Sequence, residues 1–362
     1  MDPVKPNYEG ANVTNVVPAL LGLRPVDWLP EAVAGARSTV LLVLDGLGWD
    51  VVSSPGRMPV VGSMGGGAIT TVVPSTTAAA LTSITTGVAP ARHGITGYRM
   101  RFDDTVLNAV RWQRADGRRA PDPRATQRVD PFAGRPVPVV SKSAFRRSGF
   151  TDVHLRGGEY RGWPTSAVLV EHVRALIAAG EPLVYAYYPG LDEVGHEWGI
   201  EGREFAAELA ATDGLVRALV DVLPDDTALV VTADHGQVQV GPSGWRGLGA
   251  LDDVVATYAG EGRFRHLHAR RGAGAELHAA ARDAAGDAAW VFTREQLLDE
   301  GWLGPDVRGP ARRGVGDVVL AARGVVGFLD PTYPQEGGLI GAHGSLTAAE
   351  MLVPLVAARG SG

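Results

Sequence analysis

Cysteine is absent from this chain of 362 residues. Its absence excludes disulfides, thiolate zinc sites, iron–sulfur clusters and cysteine nucleophiles. Any metal ion must therefore be bound by histidine, carboxylate or hydroxyl groups, and the chain has nine histidines. Long apolar runs are missing as well, since no segment reaches the roughly 18 unbroken apolar residues that a membrane helix needs. We therefore expect no membrane partner.

An excess of positive charge is also lacking, because 34 basic and 40 acidic side chains give a formal net charge of −6. This balance gives no electrostatic reason to expect a nucleic-acid polymer as a partner. The N-terminal segment has no basic region followed by an apolar stretch and a cleavage site, which predicts a cytoplasmic protein. With 45% hydrophobic and 20% charged residues, the composition is that of a globular domain.

Short apolar runs bounded by turn residues alternate with helical patterns along the chain. The predicted strands cover Ser38–Asp45, Ala68–Val73, Leu183–Tyr188 and Thr227–Thr232. The predicted helices cover Ser166–Ala179 and Arg203–Val222. The glycine run Gly65–Gly67 before the second strand indicates a turn. This alternation predicts an α/β fold with a mostly parallel central sheet sandwiched by helices.

Two stretches interrupt the alternation. Residues 100–138 are polar, rich in arginine and interrupted by prolines, which predicts a long loop excursion. Residues 241–324 carry a separate pattern that predicts a small inserted α/β cap. Its expected elements are a strand around Phe264–Ala269, helices around Glu276–Ala285 and Thr293–Glu300, and a strand at Asp317–Ala321. We therefore expect a single domain over residues 1–362 with two insertions.

Polar motifs follow the predicted strands, and open α/β sheets bind ligands at the carboxyl ends of their strands. Asp45 ends the first strand, and Ser75-Thr76-Thr77 begins a helix after the second. A hydroxyl at a helix N-terminus lies beside unpaired N–H groups, which favours an oxyanion or a phosphate. Three further motifs follow, namely Asp192-Glu-Val-Gly-His196, Thr232-Ala-Asp234-His235-Gly236 and Gly341-Ala-His343-Gly344.

Together these motifs supply three carboxylates and three imidazoles, although each motif alone is compatible with a structural role such as a helix cap. The residues are Asp45, Asp192, Asp234, His196, His235 and His343. The set suits Zn²⁺ or Mn²⁺ and is too large for a single tetrahedral ion. Two ions roughly 4 Å apart, which bind the attacking and leaving oxygens of a displacement at phosphorus, would use all of it.

The ordered motifs resemble the alkaline phosphatase superfamily, and within it the nucleotide pyrophosphatase/phosphodiesterase branch. That branch carries a P-[ST]-x-T nucleophile turn with T-G and H-G-I downstream, which this chain matches at residues 74–77, 86–87 and 93–95. It also carries D-x-x-G-H, [ST]-x-D-H-G and G-x-H-G, matched at residues 192–196, 232–236 and 341–344. The resemblance spans about Ser38 to Val356 outside the two insertions.

The resemblance implies an alkaline phosphatase-like fold with two divalent metal ions, Zn²⁺ or alternatively Mn²⁺. One ion would be bound by Asp45, Thr77, Asp234 and His235, and the other by Asp192, His196 and His343. Thr77 would be the nucleophile that forms a phosphothreonine intermediate, because metal coordination favours the alkoxide. Thr76 is the rival nucleophile, and the spacing to Thr86-Gly87 favours Thr77.

The substrate side departs from the family pattern. The branch usually has an asparagine shortly after the nucleophile that donates to a phosphoryl oxygen, whereas this turn continues as TAAALTS. The expected substrate-binding residues are Tyr98, Asn108, Arg111 and Trp112. A phenol at Tyr98 could donate the missing hydrogen bond or stack on a leaving group, and a tyrosine packed under the excursion is an equally good interpretation.

We therefore expect a two-metal phosphohydrolase that cleaves phosphodiester or pyrophosphate bonds of small metabolites such as nucleotides. The alternatives are a phosphomonoesterase or phosphonate hydrolase on the same metals and, from another class, a catalytically silent binding protein. The intact nucleophile and the complete set of metal-ligand residues argue against a catalytically silent protein. A further histidine pair, His266 and His268, shares one face of a predicted strand, and we expect a solvated cap strand there and not a metal site.

Overall fold

The computed structural model describes residues 2–305 and 309–362, in which helices and strands alternate along much of the chain. The α-helices are α1 (Val13–Leu20), α2 (Trp49–Ser53), α3 (Thr77–Thr86), α4 (Pro90–His93), α5 (Pro123–Thr126), α6 (Gly149–His154), α7 (Ser166–Ala178), α8 (Gly190–Trp198), α9 (Arg203–Val222), α10 (Gly274–Ala285), α11 (Arg294–Asp299), α12 (Pro310–Gly314) and α13 (Ala348–Met351). The strands are β1 (Ser38–Leu44), β2 (Gly65–Thr70), β3 (Arg99–Phe102), β4 (Thr105–Asn108), β5 (Gln113–Arg114), β6 (Val139–Lys142), β7 (Tyr160–Trp163), β8 (Leu183–Tyr188), β9 (Thr227–Thr232), β10 (Val238–Gln239), β11 (Trp245–Arg246), β12 (Val255–Glu261), β13 (Phe264–Ala269), β14 (Ala289–Thr293), β15 (Val318–Ala322), β16 (Gly327–Phe328), β17 (Gly341–Ala342) and β18 (Leu352–Arg359).

Strands β1, β8 and β9 lie side by side in a seven-stranded sheet with the order β2-β18-β9-β1-β8-β6-β7. Every residue of β1 is buried, which explains why its sequence STVLLVL is largely apolar on both faces. Strand β1 runs parallel to both neighbours, and β18 runs antiparallel to β9 and β2. The predicted α/β fold with a mostly parallel central sheet is therefore confirmed.

The register of the central strands brings three loops to one edge of the sheet. Val43 in β1 is opposite Tyr187 in β8 and Thr232 in β9, so these strands end at nearly the same level. The residues that follow them, from Asp45 onward in the first case, therefore lie close together. This edge is the one at which the sequence motifs were expected to meet.

The helices pack in two groups around the sheet. Helices α7 and α8 both contact α9, while α1 and α6 both contact α3. The inward face of α9 repeats at helical spacing, with Phe205, Leu209, Val216 and Leu219 buried. Among the helices of the described residues, none combines the length and the apolar character that crossing a membrane requires.

Strand β2 begins and ends earlier than predicted. The glycine run that indicated a turn is extended and pairs with β18, opposite residues 355–357. A side chain at Gly66 would come within 2.2 Å of the Leu355 carbonyl oxygen, and the φ of Gly66 is +136°, so both the space and the backbone require glycine. Residues 71–73 leave the sheet, and there the Thr71 hydroxyl donates to the Asp234 carbonyl.

Residues 100–138 contain regular structure where the sequence predicts a loop excursion. Strands β3, β4 and β5 form an antiparallel sheet that includes the first part of this stretch. Leu107 and Phe132 are both fully buried in the main core. The polar composition misled the prediction because the few apolar side chains are the ones that anchor the stretch.

A second, four-stranded antiparallel sheet lies within the predicted cap region, with the order β12-β13-β15-β14. The expected strands and helices correspond to β13, α10, α11 and β15, whereas β12 and β14 were not predicted. The sheet and α10 share their own apolar cluster, which includes Leu267, Leu277 and Leu320. We call this unit, the described residues 255–305 and 309–322, the cap sheet.

The expectation of a solvated strand at His266 and His268 is wrong, since both side chains are fully buried. His266 Nε2 lies 3.2 Å from the Thr96 carbonyl oxygen, and its Nδ1 accepts from the Gly316 N–H at 3.2 Å. Burial lowers the pKa of His266 to about 4, so this imidazole is neutral. His266 therefore joins the cap sheet to the loop before β3.

A buried ion pair also joins the cap sheet to the main domain. Arg263, directly before β13, donates from Nε and Nη2 to the two Glu350 oxygens at 2.7 and 2.8 Å. Both side chains are fully buried. Glu350 lies in α13, immediately before the β18 strand of the central sheet. The bidentate pair therefore fixes the tip of the β12–β13 hairpin against the main domain.

We expect Arg263→Met to lower the free energy of unfolding by about 3–5 kcal/mol, because the substitution leaves the Glu350 carboxylate buried without its cation. Chemical denaturation of the two proteins measures this difference. The matched control is Arg174→Met, which removes the guanidinium of an ion pair exposed on α7. The free energy of unfolding of that control should be almost the same as that of the wild type. Equal stability of Arg263→Met and the wild type would contradict a stabilising pair at the hairpin.

Candidate active site

A cavity of about 500 Å³ opens at the carboxyl edge of the central sheet. Its wall combines residues of the strand-end loops, of the nucleophile turn and of the cap sheet. They include Asp45, Thr76, Thr77, Tyr98, Arg111, Tyr187, Asp192, His196, Glu261, Tyr333 and His343. Asp234 and His235 are fully buried beside this wall.

The first cluster joins the ends of β1 and β9. His235 Nε2 lies 3.4 Å from a carboxylate oxygen of Asp45 and 3.4 Å from one of Asp234. The Thr77 hydroxyl lies 3.1 Å from the same nitrogen. Three potential ligand groups and the expected nucleophile therefore converge on one point, as the first ion was expected to require.

The second cluster joins α8 to the loop after β17. His196 Nε2 lies 3.4 Å from one Asp192 oxygen, one turn along the same helix, and His343 Nε2 lies 3.7 Å from the other. The ligand atoms of these three residues lie within 4.8 Å of one another. The ring of His343 stacks on that of His235 with centroids 3.6 Å apart, so the two clusters adjoin.

The three imidazoles of the two clusters turn Nε2 toward the cluster carboxylates because Nδ1 faces a backbone carbonyl. The pairs are His196 with Gly341 at 2.8 Å, His235 with Gly236 at 3.1 Å and His343 with Ser75 at 2.9 Å. A proton on Nδ1 leaves the Nε2 lone pair free to bind a metal ion. Burial and the two neighbouring imidazoles lower the pKa of His343 well below its ordinary value, which keeps this ring neutral.

The carboxylates are oriented in the same way, with one oxygen held and the other free. The Asp234 Oδ1 accepts from the N–H groups of Gly46 and His235 at 3.2 and 3.0 Å, and one Asp45 oxygen accepts from the Tyr187 hydroxyl. The remaining oxygens, Asp45 Oδ1 and Asp234 Oδ2, are buried without a hydrogen-bond partner. Buried polar atoms of this kind are normally satisfied, so the geometry fits a bound cation.

Electrostatics support the same interpretation. Burial raises the pKa of Asp45 well above its ordinary value, and the nearby Asp234 and Asp192 carboxylates raise it further. Three carboxylates in one buried site repel one another unless cations compensate their charge. The oxygen and nitrogen donor set suits divalent ions such as Zn²⁺ or Mn²⁺. The residues present therefore fit two divalent cations.

Thr77 is the first residue of α3, and Thr76 precedes it as the N-terminal cap residue. Thr77 is partly exposed to the cavity and touches the first cluster, whereas Thr76 is buried at 1% exposure. The helix N-terminus also places unpaired backbone N–H groups beside the Thr77 hydroxyl. The geometry therefore favours Thr77 over its rival as the attacking group.

The four expected substrate-binding residues occupy different positions. Tyr98 and Arg111 line the cavity. Asn108 stands behind them and accepts from the Arg111 N–H at 2.9 Å. Trp112 is 7% exposed and donates from its indole to the Pro121 carbonyl, so it packs in the core and lies outside the cavity wall of the described residues. Its aromatic side chain anchors the stretch after β4.

Several groups at or beside the cavity were not predicted from the sequence. Gln237 donates to Asp192 at 2.6 Å and directly follows the D-H-G motif, a position that could have suggested it. Tyr187 lies in β8, and the alternating tyrosines of that strand indicate a site residue less clearly than the motif beside Gln237 does. Glu261 ends the unpredicted strand β12 and has no motif around it. Burial raises the pKa of Glu261 to about 7.

The profile of the family described as type I phosphodiesterase/nucleotide pyrophosphatase matches residues 39–345. The chain belongs to this family, within the alkaline phosphatase superfamily. The family match covers both residue clusters and the nucleophile turn.

Solved structures show the same fold at low sequence identity. Murine ectonucleotide pyrophosphatase/phosphodiesterase 5 superposes with a TM-score of 0.70 at 17% identity and covers 90% of this chain and 88% of that one. Phosphonoacetate hydrolase from Sinorhizobium meliloti 1021, in complex with phosphonoformate, superposes with a TM-score of 0.62 at 20% identity, with 90% and 91% coverage.

Curated relatives match over a short stretch. Human GPI ethanolamine phosphate transferase 3, catalytic subunit, is 35% identical over 77 residues, which are 21% of this chain and 7% of that protein. The Schizosaccharomyces pombe GPI ethanolamine phosphate transferase 3 is 31% identical over 85 residues, 24% and 9% of the two chains. The match therefore spans less than a tenth of the length of these relatives.

Proposed function

We propose that the protein is a two-metal phosphohydrolase that cleaves phosphodiester or pyrophosphate bonds of small metabolites such as nucleotides. One observation carries the proposal: the Thr77 hydroxyl lies in one cavity with two adjoining carboxylate–imidazole clusters. Zinc is the proposed metal and manganese the alternative, because the donors are carboxylate oxygens and imidazole nitrogens. Two such ions, when bound, stabilise negative charge on the attacking and leaving oxygens.

Thr77 is the proposed nucleophile. Its oxygen forms a bond to phosphorus while the bond from phosphorus to the leaving oxygen breaks, and the leaving group takes up the proton that the threonine loses. The product is a phosphothreonine. A water molecule then attacks phosphorus, which restores the threonine hydroxyl and releases the phosphoryl product. The α3 N-terminus supplies backbone N–H groups to the phosphoryl oxygens during both steps.

Tyr98 and Arg111 are the proposed substrate contacts. Burial and the neighbouring Tyr333 raise the pKa of Tyr98 to about 12, so its phenol keeps its proton and can donate to a phosphoryl oxygen. That role replaces the asparagine that the nucleophile turn lacks. Arg111 is an exposed cation at the cavity wall and can attract the phosphate group. The cavity volume suits a small metabolite and not a polymer.

The test compares two chromogenic substrates on the protein loaded with Zn²⁺ or with Mn²⁺. We expect faster turnover of bis-p-nitrophenyl phosphate, a diester, than of p-nitrophenyl phosphate, a monoester. Faster turnover of the monoester would support the phosphomonoesterase alternative. A protein that binds the metals and turns over neither substrate would be a silent binding protein.

A further inference from the structure

Glu261 is a carboxyl group in the cavity wall that the proposed reaction does not use. Glu261 is 9% exposed, and its Oε2 accepts a hydrogen bond from the Tyr98 N–H at 3.1 Å. The other oxygen, Oε1, has no hydrogen-bond partner. By contrast, two other glutamates of the wall have cations, since Glu193 pairs with Lys142 and Glu336 with Arg265.

The surroundings of Glu261 hold it against the reacting centre. A side chain at Gly344 would come within 2.7 Å of its Cγ, so the carboxyl group packs directly on the glycine after His343. On the other side it lies beside Thr76, which precedes the proposed nucleophile. Glu261 therefore lies between the second cluster and the nucleophile turn.

The cap sheet fixes this position. Glu261 ends β12, and the next residue, Gly262, packs under the Trp245 indole with no space for a side chain. Arg263 then forms the buried pair with Glu350. These contacts hold the backbone of Glu261 at the cavity wall, and the Tyr98 N–H orients its carboxyl group there.

We propose that Glu261 sets the charge of the phosphoryl group that the site accepts, favouring singly charged diesters over doubly charged monoesters. This inference rests on the proposed function. At pH 8, above the pKa of about 7 that burial gives this carboxyl group, Glu261 is ionised and places a negative charge in the cavity wall. Each further negative charge on the phosphoryl group then meets repulsion in a weakly polarisable cavity.

The experiment measures kcat/KM for bis-p-nitrophenyl phosphate and p-nitrophenyl phosphate in the metal-loaded wild type and in Glu261→Gln. Glutamine keeps an oxygen for the Tyr98 N–H and removes the charge. We expect the ratio of diester to monoester kcat/KM to fall about tenfold, the size of one moderately screened charge interaction. Glu261→Asp should keep most of the wild-type ratio because it keeps the charge.

A second readout does not depend on turnover. Calorimetric titration with inorganic phosphate at pH 8, where phosphate is mostly doubly charged, should show about tenfold tighter binding to Glu261→Gln than to the wild type. Glu193→Gln is the matched control, since it removes one carboxylate from the same wall at an exposed position. Its effect on phosphate affinity should stay below about threefold because solvent screens the charge.

Two outcomes would overturn the inference. If Glu261→Gln changes both rates by the same factor and leaves phosphate affinity unchanged, the residue has only a structural role. If phosphate binds more weakly to Glu261→Gln, the carboxyl group donates to the anion and does not repel it. Failure of the proposed function looks different, because a wild type that cleaves neither ester can still show the shift in phosphate affinity.

Discussion

Replacing Thr77 with alanine should lower kcat on a diester by about a thousandfold or more and leave the metal content almost unchanged. The substitution removes the oxygen that attacks phosphorus, and loss of a covalent nucleophile has effects of at least this size. The metal content should persist because each cluster keeps its three carboxylate and imidazole groups. Steady-state kinetics together with elemental analysis of the purified variant measure both quantities.

Thr76→Ala is the matched control for this experiment. It removes the neighbouring hydroxyl, which is buried at the N-terminal cap position of α3 and does not touch the first cluster within the described contacts. We expect its kcat to stay within about tenfold of the wild type, which is about 1.4 kcal/mol of activation barrier, because the Thr76 side chain makes no capping hydrogen bond. A large loss in Thr76→Ala with nearly full activity in Thr77→Ala would reverse the assignment of the nucleophile.

Asp234→Asn should lose about one of two bound metal equivalents. Its kcat should fall by a factor comparable to that expected for Thr77→Ala, about a thousandfold. The Oδ1 of Asp234 is held by two backbone N–H groups, which the asparagine oxygen can still accept. The amide nitrogen then replaces Oδ2, the unpartnered buried atom that faces His235. An amide nitrogen has no lone pair for a metal ion, so the first cluster fails while the second keeps its donors.

The measurement is the metal-to-protein ratio after gel filtration, with Asp213→Asn as the control. Asp213 is a buried carboxylate outside the site, where it accepts from the Val60 and Val61 N–H groups. Its replacement should leave two equivalents of metal. Retention of both equivalents by Asp234→Asn would exclude the first cluster as a metal site.

The sequence was informative where one local signal decided the structure. Residues 38–44 are mostly apolar on both faces, and such a run has few options other than a central parallel strand. Once β1, β8 and β9 are adjacent, the residues after them must meet at one edge, and Asp45 and Asp234 do so. The predicted ligands therefore came together for a topological reason.

Other positions depended on tertiary contacts that no local pattern encodes. Strand β12 reads VATYAGE, in which alanine, glycine and a terminal glutamate give a weak strand signal. Missing the strand also meant missing Glu261, because its proximity to Thr76 arises only when the cap sheet docks. The opposite case is Trp112, which the sequence predicts to bind substrate. Its aromatic side chain packs in the core and does not line the cavity within the described residues.

The place of β18 determines when the site can form during synthesis. Strand β18, Leu352–Arg359, lies between β9 and β2, so β2 and the nucleophile turn after it have no fixed position in the sheet until residues 352–359 have been made. The bond from His343 to the Ser75 carbonyl closes a loop of 268 residues. Contacts across such separations form late because their closure entropy is paid before they stabilise the fold. A nascent chain thus carries an incomplete centre until residues 352–359 have left the ribosome.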